Sequence, residues 1–203
     1  INFDIIVQEI EDPRTAGEVF PGAGFTVRSF PLYHTRDCVG YSLTEEDRPG
    51  VFHPEKAGEL GVPRGPMWSQ LQQGNSVSLA DGTVVEPSQV RGERRRGRKF
   101  SYVTDSLRHR SIEREVSGSD LLICEGMFEK SLRETSQEKR HMTAYDAGKL
   151  ARQAGGVKRM GLIHFSPRYT KKDLKRLEDE AREEFPATFL TRDRQTIEIP
   201  YEE

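Results

Sequence analysis

The chain has 203 residues, of which 32% are charged and 34% hydrophobic, with a formal net charge of −2. That length supports one good core, and one domain is the default expectation. No apolar run approaches the roughly 20 residues a membrane span needs, no charged-then-apolar leader marks secretion, and the two cysteines, Cys38 and Cys124, are too few for a disulfide framework and read as reduced, cytoplasmic thiols.

The chain begins at Ile1 without an initiator methionine, already inside the strand-like alternation of Phe3 to Glu9. A fragment of a longer protein is the expectation. Gly22-Ala-Gly24 punctuates, Phe25 to Leu32 reads as a second strand running into His34, and Cys38 to Leu43 as a third. From Thr44 to about Gly97 the sequence turns rich in glycine, proline and polar residues, with Pro49-Gly50, Gly65-Pro66 and Asp81-Gly82 as turn signals. A short hairpin is expected where Ser76–Leu79 and Thr83–Val85 flank the Asp-Gly turn. An excursion of that length inside a domain is either functional or disordered.

Alternation then returns. Phe100–Thr104 reads as a strand and Leu121–Cys124 as a short buried one. Thr143 opens a helix that runs to about Ala154, with Asp146 in its first turn and Gly155-Gly156 at its end. Val157–Phe165 reads as a strand, Lys171–Phe185 as a charged amphipathic helix, and Thr196–Ile199 as a closing strand. Strands alternating with helices argue for an α/β layered fold.

Three of these strands finish in a metal-ligand type: His34 after Phe-Pro-Leu-Tyr, Asp105 after Tyr-Val-Thr, and His164 after Gly-Leu-Ile. Zinc-like metals accept neutral imidazole nitrogen and carboxylate oxygen, and a carboxylate can bridge two ions. A histidine after a strand is nevertheless more often an ordinary core or surface residue, and periodicity cannot say that these three converge.

The surrounding motifs are more specific. Asp120-Leu-Leu-Ile-Cys-Glu-Gly-Met-Phe128, then Arg140-His-Met-Thr143 opening a helix, then Val157-Lys-Arg-Met-Gly-Leu-Ile-His-Phe-Ser-Pro-Arg-Tyr169 resembles the ribonuclease Z branch of the metallo-β-lactamase superfamily. The run Gly65-Pro66, Leu71, Gly74, Val77, Leu79, Asp81-Gly82 resembles that family's substrate arm, so the likeness covers essentially the whole chain. It implies the carboxy-terminal half of a metallo-β-lactamase αβ/βα sandwich over residues 1–203, with a long protruding arm inserted at 45–97.

The same resemblance implies a zinc-dependent endoribonuclease that removes 3′ trailers from precursor tRNA by metal-activated attack of water. His34 and His164 would each bind one of two zinc ions, and Asp105 would bridge both. Glu125 and His141 would serve the leaving group, since histidine titrates near neutrality and a carboxylate beside it would fix its tautomer. Helix-capping or surface roles for Glu125 and His141 stay open. Cytoplasmic location and homodimerisation of the full-length protein complete the expectation.

Departures from the family pattern fall on neighbours of these residues: Thr104-Asp105-Ser106 where Gly-Asp-Thr is common, Cys124-Glu-Gly-Met-Phe128 for His-Glu-Ala-Thr-Phe, and His141-Met-Thr143 for His-Ser-Thr. Cys124 takes the place of a family residue outside the ligand set. The family's His-x-His-x-Asp-His string does not occur, so this polypeptide alone is expected to bind zinc poorly and not to cleave RNA. The alternatives are another phosphodiesterase or hydrolase on the same scaffold, or a non-catalytic RNA-binding fragment.

The arm is expected to track the phosphates and shape of folded RNA rather than its sequence, with Gly65 and Pro66 in it. Between Arg91 and Lys99 the sequence holds six cations against one anion. Arg94, Arg95, Arg96, Arg98 and Lys99 would neutralise RNA phosphates there, or form a solvated charge run. Trp68, the only tryptophan, would stack on a base or anchor the arm's turn, with anchoring the favoured reading, and Arg168, close after His164, would meet a phosphate near the scissile bond.

Overall fold

The computed structural model describes Ile6, Val7 and residues 9–201. In chain order the elements begin with strands β1 (Gly17–Gly22), β2 (Phe25–Tyr33) and β3 (Asp37–Glu45), then helices α1 (Pro54–Glu59) and α2 (Pro66–Gln73). A small hairpin β4 (Val77–Ser78) and β5 (Val84–Val85) and helix α3 (Pro87–Val90) follow. The remainder is β6 (Lys99–Val103), α4 (Arg110–Val116), β7 (Leu121–Glu125), α5 (Arg133–Glu138), α6 (Ala144–Ala154), β8 (Met160–Ile163), α7 (Lys171–Arg182) and β9 (Thr188–Leu190). The chain divides into two compact units, Ile1–Glu45 with Arg98–Pro200, and Glu46–Gly97 with Tyr201–Glu203.

The first unit is built on a seven-stranded sheet in the order β1-β2-β3-β6-β7-β8-β9. β1, β2, β3 and β6 pair antiparallel, whereas β6, β7, β8 and β9 pair parallel. Every residue of β7 is buried, as its unbroken Leu-Leu-Ile-Cys run requires of a central parallel strand. One face of the sheet, with Phe30, Leu32, Val103, Leu122, Cys124, Met160 and Leu162, shares a core with Ile112 and Val116 of α4, Leu150 of α6, and Leu177 and Ala181 of α7. On the strands β3 and β6, Tyr41 and Tyr102 are paired partners and stay 38% and 37% exposed, so helices cover one face of the sheet there and not the other.

Helices α6 and α7 start where side chains supply the missing acceptors. Thr143 Oγ1 accepts from Asp146 N at 3.0 Å to cap α6, and Thr170 and Asp173 cap α7 reciprocally. Two antiparallel steps separate β2 from β6, so β2 runs in the same direction as β6, β7 and β8. The carboxyl ends of all four therefore lie on one rim, where open α/β sheets place their ligands.

The second unit has its own core, Ala57, Val62, Leu71, Val77, Val85 and Val90, with Phe52, Leu60, Met67, Trp68 and Leu79 packed on it. It is more ordered than its composition suggests. Pro54, Pro66 and Pro87 each open a helix at its first position, where proline's fixed φ is suited and its missing N–H is not needed. Gly50 sits so close to the Gly92 carbonyl that a Cβ would lie 1.9 Å from it. The Asp81-Gly82 turn forms as expected, with Asp81 Oδ1 accepting from Thr83 N at 2.9 Å.

The sequence reading needs two corrections here. Thr196–Ile199 is not a strand; the last strand is Thr188–Leu190, paired parallel to β8. The carbonyls of Glu198 and Ile199 accept from the guanidinium groups of Arg159 and Arg98 instead of a neighbouring strand, after a turn in which Arg194 takes φ 62°. The strand expected at Phe3–Glu9 lies partly outside the described residues, and its described members Ile6, Val7 and Glu9 are in no strand. Among the described residues no helix is long and apolar enough to cross a membrane.

Candidate metal centre

Four strand ends and one loop bring five side chains together on that rim. His34 follows β2, Asp105 comes two residues after β6, Glu125 is the last residue of β7 and His164 follows β8. His141 arrives from the loop between α5 and α6. Its backbone is pinned to Ser136, which accepts from His141 N at 2.8 Å through its carbonyl and donates its hydroxyl to the His141 carbonyl at 2.9 Å.

Asp105 stands between two histidines. Its Oδ1 lies 3.3 Å from His164 Nδ1 and its Oδ2 lies 3.9 Å from His34 Nε2. Partial burial pushes the Asp105 carboxyl up, but the Thr104 hydroxyl, donating at 2.8 Å, and the imidazoles of His164, His141 and His34 outweigh it, and its pKa falls below the ordinary value.

Glu125 is fully buried. Its Oε1 accepts from Ser106 N at 2.5 Å and lies 3.1 Å from His141 Nδ1. Its Oε2, also buried, has no hydrogen-bond partner among the described residues and lies 3.9 Å from His164 Nδ1, which is likewise buried and without one. That separation exceeds a hydrogen bond, so Glu125 acts on His164 through its charge. Glu125 first, and Asp105 after it, raise the His164 pKa against the opposing effect of burial.

The three imidazoles form a row: the His141 ring centroid is 4.8 Å from that of His34 and 5.1 Å from that of His164, and its edge meets Phe128. The donor atoms of His34, Asp105 and His141 all lie within 4.8 Å of one another, as do those of Glu125, His141 and His164.

These residues fit a divalent ion. Buried polar atoms are almost always partnered, and here a carboxylate oxygen and an imidazole nitrogen face the same small space with no partner. Two donors on a tetrahedral zinc at about 2.0–2.1 Å are roughly 3.3 Å apart, which matches the Asp105–His164 separation of 3.3 Å.

The surroundings include groups that the sequence did not single out. His34 Nδ1 lies 3.1 Å from the Arg140 carbonyl, and Arg140 Nη1 donates to the His34 carbonyl at 3.2 Å. Arg140 and His164 take φ values of 55° and 62°, the left-handed region that non-glycine residues occupy at a cost and mostly at functional sites. Ser106 ties β2 to Glu125: its Oγ accepts from Tyr33 N at 2.9 Å while its N–H meets Glu125. The flanking Thr104 and Ser106 were visible as hydroxyl neighbours of Asp105. The Arg140 carbonyl left no signal, because backbone groups carry no residue code.

The remaining sites of the sequence reading disperse. Arg168 donates through Nε to Ser166 Oγ at 3.1 Å and lies over the Phe128 ring, close to His141. In the first unit Arg98 forms a fork on Glu45 and Lys99 Nζ donates to the Glu115 and Ser117 carbonyls that end α4. In the second unit Arg95 Nε donates to the Pro49 carbonyl, Arg94 and Arg96 are exposed, and Gly65 and Pro66 are the N-cap and first residue of α2. Cys124 is fully buried in the main core, and burial first, with the Glu125 charge second, lifts its thiol well above the ordinary range. It is in neither of the ligand groups found among the described residues.

The chain is 51% identical over all its 203 residues to the ribonuclease Z of Treponema denticola, of which it spans 65%. It is 50% identical to that of Treponema pallidum across 64% of the relative, and 37% identical over 200 residues to that of Borreliella burgdorferi. Over its whole length the chain is homologous to proteins named ribonuclease Z. It spans 60–65% of the length of the curated relatives it matches. No family model matches it.

Among solved structures, the short form of human tRNase Z superposes with a TM-score of 0.55 at 19% identity, over 93% of this chain and 48% of that one. The metallo-β-lactamase fold protein YhfI of Bacillus subtilis gives 0.53 at 17%, over 88% and 49%. These likenesses show the fold: the mixed sheet with helices on one face is part of a metallo-β-lactamase fold.

Proposed function

We propose that this chain carries the bridging and leaving-group side of a two-zinc centre in an endoribonuclease that trims the 3′ trailer from precursor tRNA. One observation carries the reading: Asp105 offers its two carboxylate oxygens to two different histidines, His34 and His164, beside the buried Glu125–His141 pair. His34, Asp105 and His164 would hold the ions, which supply Lewis acidity and charge neutralisation at the scissile phosphate.

The chain's own residues supply proton handling. With Nδ1–H directed at Glu125 Oε1, His141 keeps Nε2 as the atom that carries a proton to the departing 3′ oxygen. Phe128 and the Ser136 backbone clamp hold that ring in place and limit water around it. Arg168 is suited to a non-bridging phosphate oxygen, as a planar guanidinium is to any phosphate.

Zinc as the metal, precursor tRNA as partner, a cytoplasmic setting and a homodimer belong to this proposal. The names of the relatives support the substrate, and two unpaired cysteines, Cys38 and Cys124, support a reducing compartment. The dimer rests on the family resemblance alone.

The test uses a protein that extends this chain to its relatives' length, loaded with zinc and given a precursor tRNA with a 3′ trailer. A single cut just after the discriminator base is expected, with His141→Ala slower by about 10²–10⁴-fold, the usual worth of a positioned acid. Absence of cleavage with zinc content confirmed overturns the reading.

A further inference from the structure

A cavity of about 670 Å³ is lined in part by His34, whose Nε2 lies 3.9 Å from Asp105. Its lining includes Arg14, Arg36 and Arg140 and one carboxylate, that of Asp37, with Tyr33 and Pro31 as apolar wall. We infer that this cavity is a subsite for the phosphodiester backbone of a single RNA strand, held by Arg36 and Arg140 as the strand passes the His34 end of the metal centre. The inference rests on the proposed function only for the identity of the strand as RNA.

Charge is the first argument. Three guanidiniums face one carboxylate, and that carboxylate is a weak competitor: Asp37 is 60% exposed and lies 3.5 Å from Arg14, itself 81% exposed. Exposed pairs of this kind are worth at most about 1 kcal/mol, so a phosphate can displace them. Arg36 has no hydrogen bond or ion pair at all among the described residues. Arg140 has no carboxylate either; Nη1 donates to the His34 carbonyl, which orients the guanidinium and leaves its other N–H groups to the cavity. A preoriented guanidinium loses less freedom on binding a phosphate.

Placement is the second argument. Arg140 is joined to His34 in both directions, backbone carbonyl to ring and guanidinium to backbone, and it precedes His141. A phosphate on Arg140 is thereby fixed relative to both the ligand and the proton carrier. The cavity volume falls in the range of small-ligand sites, about 300–1,000 Å³, so it admits a nucleotide with its sugar against Tyr33 and Pro31. Arg168 lies over Phe128, whose ring meets the edge of His141 in the same row of imidazoles, so a strand held at the His34 end would meet a further cation beside His141.

The probe is 5′-fluorescein hexauridylate, titrated against the 203-residue chain by anisotropy between 50 and 200 mM potassium chloride. Arg36→Ala is expected to weaken binding roughly tenfold, the low end for a charge-assisted contact, and to reduce the log–log salt slope by about 0.7, the value for one single-strand phosphate. Arg36→Glu weakens it further, and circular dichroism stays unchanged because Arg36 is exposed and makes no bond. An affinity and slope unmoved by both variants overturn the inference. So does inorganic phosphate binding as tightly as the hexanucleotide, which would make the cavity a free-phosphate site. Failure of precursor tRNA cleavage with the Arg36 effect intact removes the proposed function and leaves this subsite standing.

Discussion

Glu125 Oε1 lies 3.1 Å from Nδ1 of His141, and neither residue is open to solvent, with exposures of 0% and 8%. The same oxygen accepts from Ser106 N, so the pair is anchored to the loop that carries Asp105. Two substitutions separate its structural and chemical parts. Glu125→Ala leaves the Ser106 N–H buried without an acceptor and opens a cavity, and should cost about 2–4 kcal/mol in urea unfolding. Glu125→Gln keeps shape and one acceptor and should cost under about 1.5 kcal/mol, yet nitrogen-15 NMR should show His141 losing its preference for Nδ1–H. An unchanged tautomer in Glu125→Gln would mean that the carboxylate does not set it.

His164 and Asp105 give opposite pH dependences. The His164 pKa is raised, chiefly by Glu125 and then by Asp105, above the ordinary value of about 6.5. Its contribution to folding is therefore complete below about 6.5 and lost as pH rises through the higher folded value. The Asp105 pKa is lowered, so its contribution is present above about 3.9 and lost as pH falls through the folded value. Both groups are partly exposed, and screening keeps the effects small. In chelator, the melting-temperature advantage of wild type over His164→Asn should shrink as pH climbs from 6 to 9. Zinc affinity should move the other way over that window, because an imidazolium cannot bind a metal. A constant difference across the range would show that His164 does not titrate there.

The centre was more legible than its scaffold. His34, Asp105 and His164 each stand after a stretch that alternates like a strand, so residue type and strand end could be read together. Their meeting on one rim could not, because it depends on β2 lying two antiparallel steps from β6. In the second unit proline misled: Pro66 reads as a turn but opens α2, since the residue that breaks a helix interior is the one that suits its first position. α4 was missed because its cap is a histidine, with His109 Nδ1 accepting from Ser111 N at 3.2 Å. β9 was missed because Thr188–Leu190 is too short to alternate visibly.

Gly148 of α6 lies against the backbone of α7 at Ala181. A Cβ there would lie 2.3 Å from the Ala181 carbonyl oxygen and 3.0 Å from its carbon. Glycine in a helix normally costs about 1 kcal/mol relative to alanine, so Gly148→Ala would stabilise an open site. Here the obstruction is backbone, which gives way only if α7 shifts and draws its own Leu177 and Ala181 out of the core. Overpacking of that kind costs about 1–3 kcal/mol. The net expectation is destabilisation by roughly 1 kcal/mol in thermal or urea unfolding; a gain in stability would show that the helix pair can part freely.

Trp68 decides between two uses of the only tryptophan in the chain. Its Nε1 donates to the Val62 carbonyl at 3.0 Å and its ring lies 5.4 Å from that of Phe52, with Arg64 over its face. Those contacts make it an anchor within the second unit's core. Trp68→Phe keeps most of the ring but abandons the Val62 carbonyl, and should cost the fold about 1 kcal/mol. Stacking on an RNA base is worth about 1–3 kcal/mol per base when the ring is removed, which a phenyl ring largely retains. Trp68→Leu therefore separates the roles: as an anchor replacement it lowers stability, yet precursor tRNA should bind within about twofold of wild type at a temperature where the variant stays folded. A loss of tenfold or more in binding by the folded leucine variant would place the indole against RNA instead.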